Sequence, residues 1–158
     1  MVRKRKKERK TIGFYGVDSG VGTTHLAVAA ANYVVSEWGV PAAVVELGDR
    51  PCIRDLDTDQ TGEAHFVEDG VGYYPHIMSS QLPLLLNGTY SYLMMDLGSA
   101  QSEWQEFLRC DLRYLVASLS PWRVARAEQF MVSHGQPDGI VQMHQNYFTA
   151  LLTVTGNI

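Results

Sequence analysis

The sequence predicts an α/β domain, a doubly wound and mostly parallel sheet flanked by helices with a small hairpin insertion. Three observations lead there. Short, nearly continuously apolar runs alternate with helical patterns along the 158 residues. Those runs lack the strict apolar–polar alternation of a half-exposed sheet, as expected of strands covered on both faces by helices. A glycine-rich turn, GVDSGVGTTH at 16–25, joins the first such run to the first helical pattern.

Taken in order, the first strand is read at 11–17 (TIGFYGV) and the first helix at 23–37. That helix begins at threonines able to cap it and runs LAVAAANYVV, alanine-rich enough to pack closely on a sheet. A second strand follows at 42–47 (AAVVEL). Residues 49–90 interrupt the rhythm with the polar stretch RPCIRDLDTDQTGE and then HFVEDGVGYYPHI, an expected antiparallel hairpin turning near Asp69-Gly70. A short helical piece, QLPLLLNG, closes this insertion. Strands at 91–97, 112–119 and 147–155 then alternate with helices at 101–109 and 123–134. Such alternation with right-handed crossovers gives a parallel sheet. Residues 11–158 read as a single domain, and residues 1–10 as a basic tail with no apolar side chain after Val2 to bury, expected to be disordered on its own.

Charge is divided unevenly. Residues 1–10 carry seven basic groups against Glu8, a net +6, while the remainder carries six arginines against sixteen acids, a net −10. All four lysines (Lys4, Lys6, Lys7, Lys10) lie in the tail. An acidic body disfavours triphosphates and nucleic acid unless positive charge is focused locally. The tail fits three roles: a solubilising segment, non-specific contact with an anionic membrane, or non-specific contact with nucleic acid. Cys52 and Cys110 are too few for a disulfide framework or zinc site and read as free thiols of a cytoplasmic protein. No apolar run approaches the ~20 residues of a membrane span, and the basic start lacks the apolar core of a secretory signal.

The loop at 16–25 has the shape of a phosphate cradle, whose motif follows a strand, opens a helix and ends in Gly-Lys-Ser/Thr. Here Gly22 is followed by Thr23 and Thr24, so a threonine stands where the lysine belongs. Backbone N–H groups and the helix N-terminus still attract anions, worth roughly 0.3–1 kcal/mol per nearby charge. A lysine–phosphate contact is worth more, about 1.5–3 kcal/mol. Lys10 cannot stand in, because seven extended residues place it roughly 23 Å away at the other end of the strand. Arg50, Arg54, Arg123 and Arg126 follow strands at the correct, carboxyl edge, and Arg54 or Arg123 is the candidate replacement.

These motifs resemble the MinD/ParA family of P-loop ATPases, particularly its CpaE-like branch. The likeness covers about 11–48 and 90–158. The family loop reads roughly KGGVGKT, which sets Asp18 on the early, dimer-crossing lysine and Thr23 on the second. The resemblance implies ATP with magnesium as cofactors, with Gly20, Val21, Gly22, Thr23, Thr24, His25 and Asn157 as nucleotide-binding positions. It puts Thr24 and Asp96 on the magnesium ligands, provided that nucleotide binds. Glu46, in VVELGD, falls on the acid that prepares the attacking water, and Asp96, in YSYLMMDLGS, on the Walker B carboxylate; these two are the candidate catalytic residues. The second acid of the VVELGD pattern is Gly48. It also implies a protein partner or a homodimer meeting through the carboxyl edge of the sheet.

Two functions are therefore expected. The first is a degenerate domain of this type, a scaffold or regulatory partner-binding module with little or no ATP hydrolysis. The alternative is an atypical ATP-binding switch or slow ATPase in which an arginine replaces the lysine and Glu46 orients water. A plain structural role also fits the same residues, with glycines 16, 20 and 22 building a tight turn and Thr24 capping the helix.

Other motifs carry less. Gly20–His25 partly mimics a dinucleotide fingerprint, but histidine is bulky where a small residue is needed. Asp55, Asp57 and Asp59 imitate a calcium loop, yet Gln60 and Phe66 stand where glycine and glutamate belong, so a solvated acidic loop is expected. His65 and His76 bracket the hairpin without a third metal ligand. Tyr73 and Tyr74 are expected to pack the hairpin on the body, and Trp104, Phe107, Tyr114 and Trp122 to serve core or interface.

Overall fold

The computed structural model describes residues 9–47, 52–59, 62–118 and 120–134, together with the backbone of 139–144 and 147–152. Its strands are β1 Lys10–Gly16, β2 Ala42–Leu47, β3 Phe66–Glu68, β4 Val71–Ile77, β5 Tyr92–Asp96, β6 Leu112–Ala117, β7 Gly139–His144 and β8 Tyr147–Leu152. The helices are α1 Thr23–Trp38, α2 Leu82–Leu86, α3 Trp104–Arg109 and α4 Pro121–His134. They build one sheet in the order β3-β4-β2-β5-β1-β6-β7-β8. Pairing is parallel from β4 through β7 and antiparallel only at the two edges, β3 on β4 and β8 on β7.

The predicted class holds, and the departures sit toward the edges. The hairpin turns at Asp69 and Gly70, both with positive φ, as expected, but β4 continues into the main sheet alongside β2. Strand β7, GIVQMH, was not anticipated, and β8 runs antiparallel beside it with no helix between them. Its run had suggested another helix-covered strand. Only the register of a neighbour distinguishes such a strand from a sheet edge.

Alternation along each strand divides two cores. Phe14, Val44, Met94 and Val116 face α1, whose Ala27 and Ala31 are fully buried and let the helix lie close. Tyr15, Val45, Met95 and Leu115 face the other way, toward Phe107 of α3, with Trp104 and Phe130 packed alongside. Gly13 admits α3: an added Cβ would stand 2.8 Å from Cys110 Sγ. The buried Cys110 thiol is pushed up to about 12, chiefly by desolvation, and is inert. Tyr73 is buried in the hairpin and its hydroxyl accepts from Asn32 of α1 at 3.0 Å, so it packs as expected. Trp104 and Phe107 are packed in, whereas Trp122 is 77% exposed and belongs to no core among the described residues.

The parallel register positions the site. Phe14 of β1 and Glu46 of β2 both pair with Asp96 of β5, so two carboxylates end neighbouring strands at one level. Glycine-rich backbone leaves β1 two residues later.

Candidate functional site

The loop after β1 is held by its neighbours' backbone. Gly16 donates its N–H to Gly98 O at 2.7 Å, and Val17 donates to Val116 O at 2.9 Å, which ties the turn to the ends of β5 and β6. A Cβ on Gly16 would sit 2.9 Å from both the Asp18 carbonyl oxygen and Val21 Cγ2, so only glycine permits this fold-back. Gly22, at φ 99°, ends the turn in a conformation that side chains resist, and its carbonyl accepts the Leu26 N–H at 3.0 Å. The backbone N–H groups of Thr23–His25 thus open α1, where no carbonyl of the helix can take them. They border a cavity of about 680 Å³ together with Asp18, Glu46 and Asp96.

Thr24 does not cap the helix. Gly22 occupies the cap position, with no side-chain cap, and the Thr24 hydroxyl donates instead to Asp96 Oδ2. Gly98 N–H donates to the other carboxylate oxygen at 3.2 Å, and the Thr23 side chain adds a further hydrogen bond. Asp96 is 2% exposed; burial raises its pKa, and these hydrogen bonds pull the other way.

Glu46, 3% exposed, is fixed by main chain. Its Oε1 accepts the Cys52 N–H at 2.6 Å and the Ile53 N–H at 3.3 Å, and the His76 N–H also reaches the carboxylate. His76 is in the left-handed region, φ 54°, beside a register shift between β2 and β4. Oε2 is buried with no hydrogen-bond partner among the described residues. Desolvation raises the Glu46 pKa most, the three amides oppose it, and the neighbouring Asp96 raises it further.

Asp18 lies at the rim, held by α4. Arg126 Nη1 donates to Oδ2 at 3.0 Å, and Arg123 Nε is 4.0 Å from the same oxygen. Arg123 also reaches Ser19 O at 3.5 Å, and Ser19 N–H donates to Asp18 Oδ1 at 2.9 Å. The Ser19 amide first, then the two guanidiniums, hold the Asp18 carboxyl below the usual range.

The structure thus gathers Gly20, Gly22, Thr23, Thr24, His25, Glu46 and Asp96 around one hollow, with Val21 buried behind the turn. Of the candidate replacement cations, Arg54 turns away, donating to Glu63 O at 2.5 Å and standing 4.0 Å from Asp57. Arg123 reaches the loop at Asp18 and Ser19. Lys10 is at the opposite end of β1. Asn157, Gly48 and Arg50 lie outside the described residues. Asp57 is buried, which corrects the expectation of a wholly solvated acidic loop. No cluster of three or more His, Cys, Asp or Glu able to hold a metal occurs among the described residues. Sequence reasoning missed the amides of Cys52, Ile53 and His76 and the closing role of Gly98. The glycine after MMDL was the one available signal for the last.

No protein-family model matches the chain, and no curated protein matches it. Solved structures do. A ParA family ATPase from Chlorobium tepidum shares 15% identity over 85% of this chain and 73% of its own, with a TM-score of 0.59. The septum site-determining protein MinD of Pyrococcus horikoshii, complexed with Mg-ADP, shares 14% over 85% of this chain and 70% of its own, at 0.55. Cobyrinic acid a,c-diamide synthase from Mycobacterium smegmatis, with ADP and magnesium bound, shares 14% over 85% and 74%, at 0.52. At such identities the likeness shows the fold, the P-loop NTPase-like arrangement expected from the sequence. A synthase and ParA/MinD ATPases use it alike, so the fold alone selects no activity.

Proposed function

We propose that this chain is a degenerate MinD/ParA-like P-loop domain acting as a regulatory, partner-binding module with little or no ATP hydrolysis. The observation that carries the reading is the charge of its cavity. Glycines and the first turn of α1 shape it for phosphate, yet it is bordered by Asp18, Glu46 and Asp96 and by no lysine or arginine among the described residues. The donor set fits a magnesium nucleotide in part: the amides of 20–25 suit phosphate oxygens, and Thr24 with Asp96 suits a hydrated magnesium ion. Magnesium, when bound, supplies charge neutralisation at the phosphates. Among the described residues the pocket holds no fixed cation for charge that develops during phosphoryl transfer, usually a large part of catalysis. Binding and turnover therefore separate here.

Trp122 supports the partner-binding half. It stands exposed on α4 beside Arg123 and Arg126 at the carboxyl edge, and tryptophan and arginine are the residue types that most often dominate interfaces. A protein partner or a second copy of the chain would meet this surface.

A second reading, an ATP-binding switch or slow ATPase, draws on Arg123, whose guanidinium already touches the loop at Ser19 O. Steady-state hydrolysis and Mg-ATP calorimetry decide between them. The first reading expects no turnover that Asp96→Ala abolishes, and a Thr23→Lys variant that binds Mg-ATP about tenfold or more tighter, the worth of one charge-assisted contact. Turnover lost in both Asp96→Ala and Arg123→Ala establishes the second.

A further inference from the structure

We infer that a second cavity, at the amino end of the strands on the face that carries α2 and α3, binds a free α-amino acid with a large apolar side chain. The inference does not rest on the reading of the glycine-lined hollow, which lies at the opposite end of the strands. Thr11, Gly13 and Tyr15 share the face of β1 that meets α3. Gly13 lets Cys110 close in, and beyond it the small Thr11 leaves space that the five-residue α2 and the end of α3 do not fill. The result is a cavity of about 410 Å³, within the roughly 300–1,000 Å³ of small-molecule sites. Its floor is apolar, made by Leu82, Pro83 and Leu86 of α2, Met95 of β5 and Cys110. A charged side chain would find no partner on that floor, and an apolar one is covered by it.

The rim carries charge of both signs. Arg109 and Glu106 of α3 satisfy one another at 2.7 Å. Arg9 and Asp111, which also line the cavity, form no ion pair among the described residues. The Arg9 guanidinium is held by carbonyls, donating from Nε to Tyr90 O at 3.0 Å and from Nη2 to Gly88 O. Those bonds leave other N–H donors of the planar group for a ligand. Asp111 Oδ2 accepts from Thr11, through the N–H at 2.7 Å and the hydroxyl at 2.9 Å, and these neutral donors leave its charge uncompensated. Gly88 and Tyr90 precede β5, Asp111 precedes β6, and these strands flank β1 on opposite sides. A fixed cation and a fixed anion therefore stand about two strand spacings apart, roughly 10 Å, over an apolar floor. With one charge-assisted bond of about 2.8 Å at each end, the ammonium and carboxylate of an α-amino acid bridge roughly 8–9 Å. The carboxylate meets Arg9, the ammonium meets Asp111, and the side chain takes the floor. A plain carboxylate would face Asp111 without a counter-charge, a plain amine would face Arg9, and an apolar molecule would desolvate both charges unpaired.

The test titrates the whole chain with L-phenylalanine and L-leucine by calorimetry, and saturable binding at millimolar concentration or below is expected. Three further probes dissect it: 3-phenylpropionate lacks the ammonium, phenethylamine the carboxylate, and L-alanine the large side chain. Each should bind at least about tenfold more weakly, the loss of one charge-assisted bond or of the apolar contact. Arg9→Gln should weaken phenylalanine by a similar factor. Asp111→Asn keeps an oxygen for the Thr11 amide; it should weaken phenylalanine about tenfold and strengthen 3-phenylpropionate, which is freed of a repelling charge. Opposite changes for the two probes cannot come from misfolding, which lowers both. No saturable binding of either amino acid up to about 10 mM overturns the inference. So does 3-phenylpropionate or phenethylamine binding as tightly as phenylalanine, or a phenylalanine affinity unchanged in both variants.

Discussion

At the carboxyl edge of the sheet, three acids border a glycine-lined hollow; at the amino edge, aromatic rings and single polar pairs face outward. The strands are the same, and so is their twist. What differs is how the backbone returns. After β1 the chain folds back over its own strand, pinned by Gly98 and Val116, and buries Glu46 and Asp96 beneath the loops. Near the start of β1, Thr11 and Asp111 satisfy one another in an exposed reciprocal pair. Buried charge is costly unless hydrogen-bonded, which explains why the carboxyl edge spends two threonines and four main-chain amides on two carboxylates. The amino edge needs nothing comparable. A hollow that holds unfavourable charge in place is a site for a ligand, while an open edge is available for surfaces.

The comparison breaks most readily at Gly16. The Cβ of Gly16→Val would already stand 2.9 Å from the Asp18 carbonyl oxygen and from Val21 Cγ2, and the backbone cannot yield without moving the turn. A loss of about 3 kcal/mol is expected in urea unfolding, at the upper end for overpacking, together with loss of any anion affinity. An equally stable variant would mean that the fold-back does not depend on this close approach.

That turn was legible in the sequence because glycine spacing and the following threonines encode it locally. The hairpin was legible for the same reason, through Asp69-Gly70. So were Glu46 and Asp96, each the only acid within an apolar run. The rest depends on distant backbone. Nothing near Glu46 announces that amides from residues 52, 53 and 76 will converge on it, since His76 lies beside a register shift in β4, two strands later. Nor does Asp18 announce Arg126, 108 positions away, because helix phase and sheet order must both be known before the pair exists. Strand β7 escaped because GIVQMH mixes polar and apolar residues without a clear period.

Glu46 sharpens the comparison through pH. Its pKa lies above the ordinary 4.5, so the native state takes up a proton more readily than the unfolded chain. The stability it contributes is fully present at acid pH and declines as pH rises from about 4.5 through the raised value. Glu46→Gln keeps a carbonyl for the Cys52 and Ile53 amides and removes the titration. The variant should therefore gain on the parent as pH increases from 4 to 8, roughly a few degrees in melting temperature at the upper end. A difference independent of pH would mean that burial does not penalise this carboxylate.

Asp111 tests the other edge and the smallest effect. Its Oδ2 accepts both the Thr11 N–H at 2.7 Å and the Thr11 hydroxyl at 2.9 Å, and its own N–H donates to that hydroxyl at 2.9 Å. Asp111→Ala removes the two bonds to the side chain and leaves the third. Because the groups are exposed, water replaces what is lost, so about 1 kcal/mol should disappear from the unfolding free energy. Anion affinity should not move, since the whole length of β1 separates Thr11 from the loop. If phosphate or Mg-ATP binding changed as well, the two edges would be coupled through β1 and could not be treated as separate surfaces.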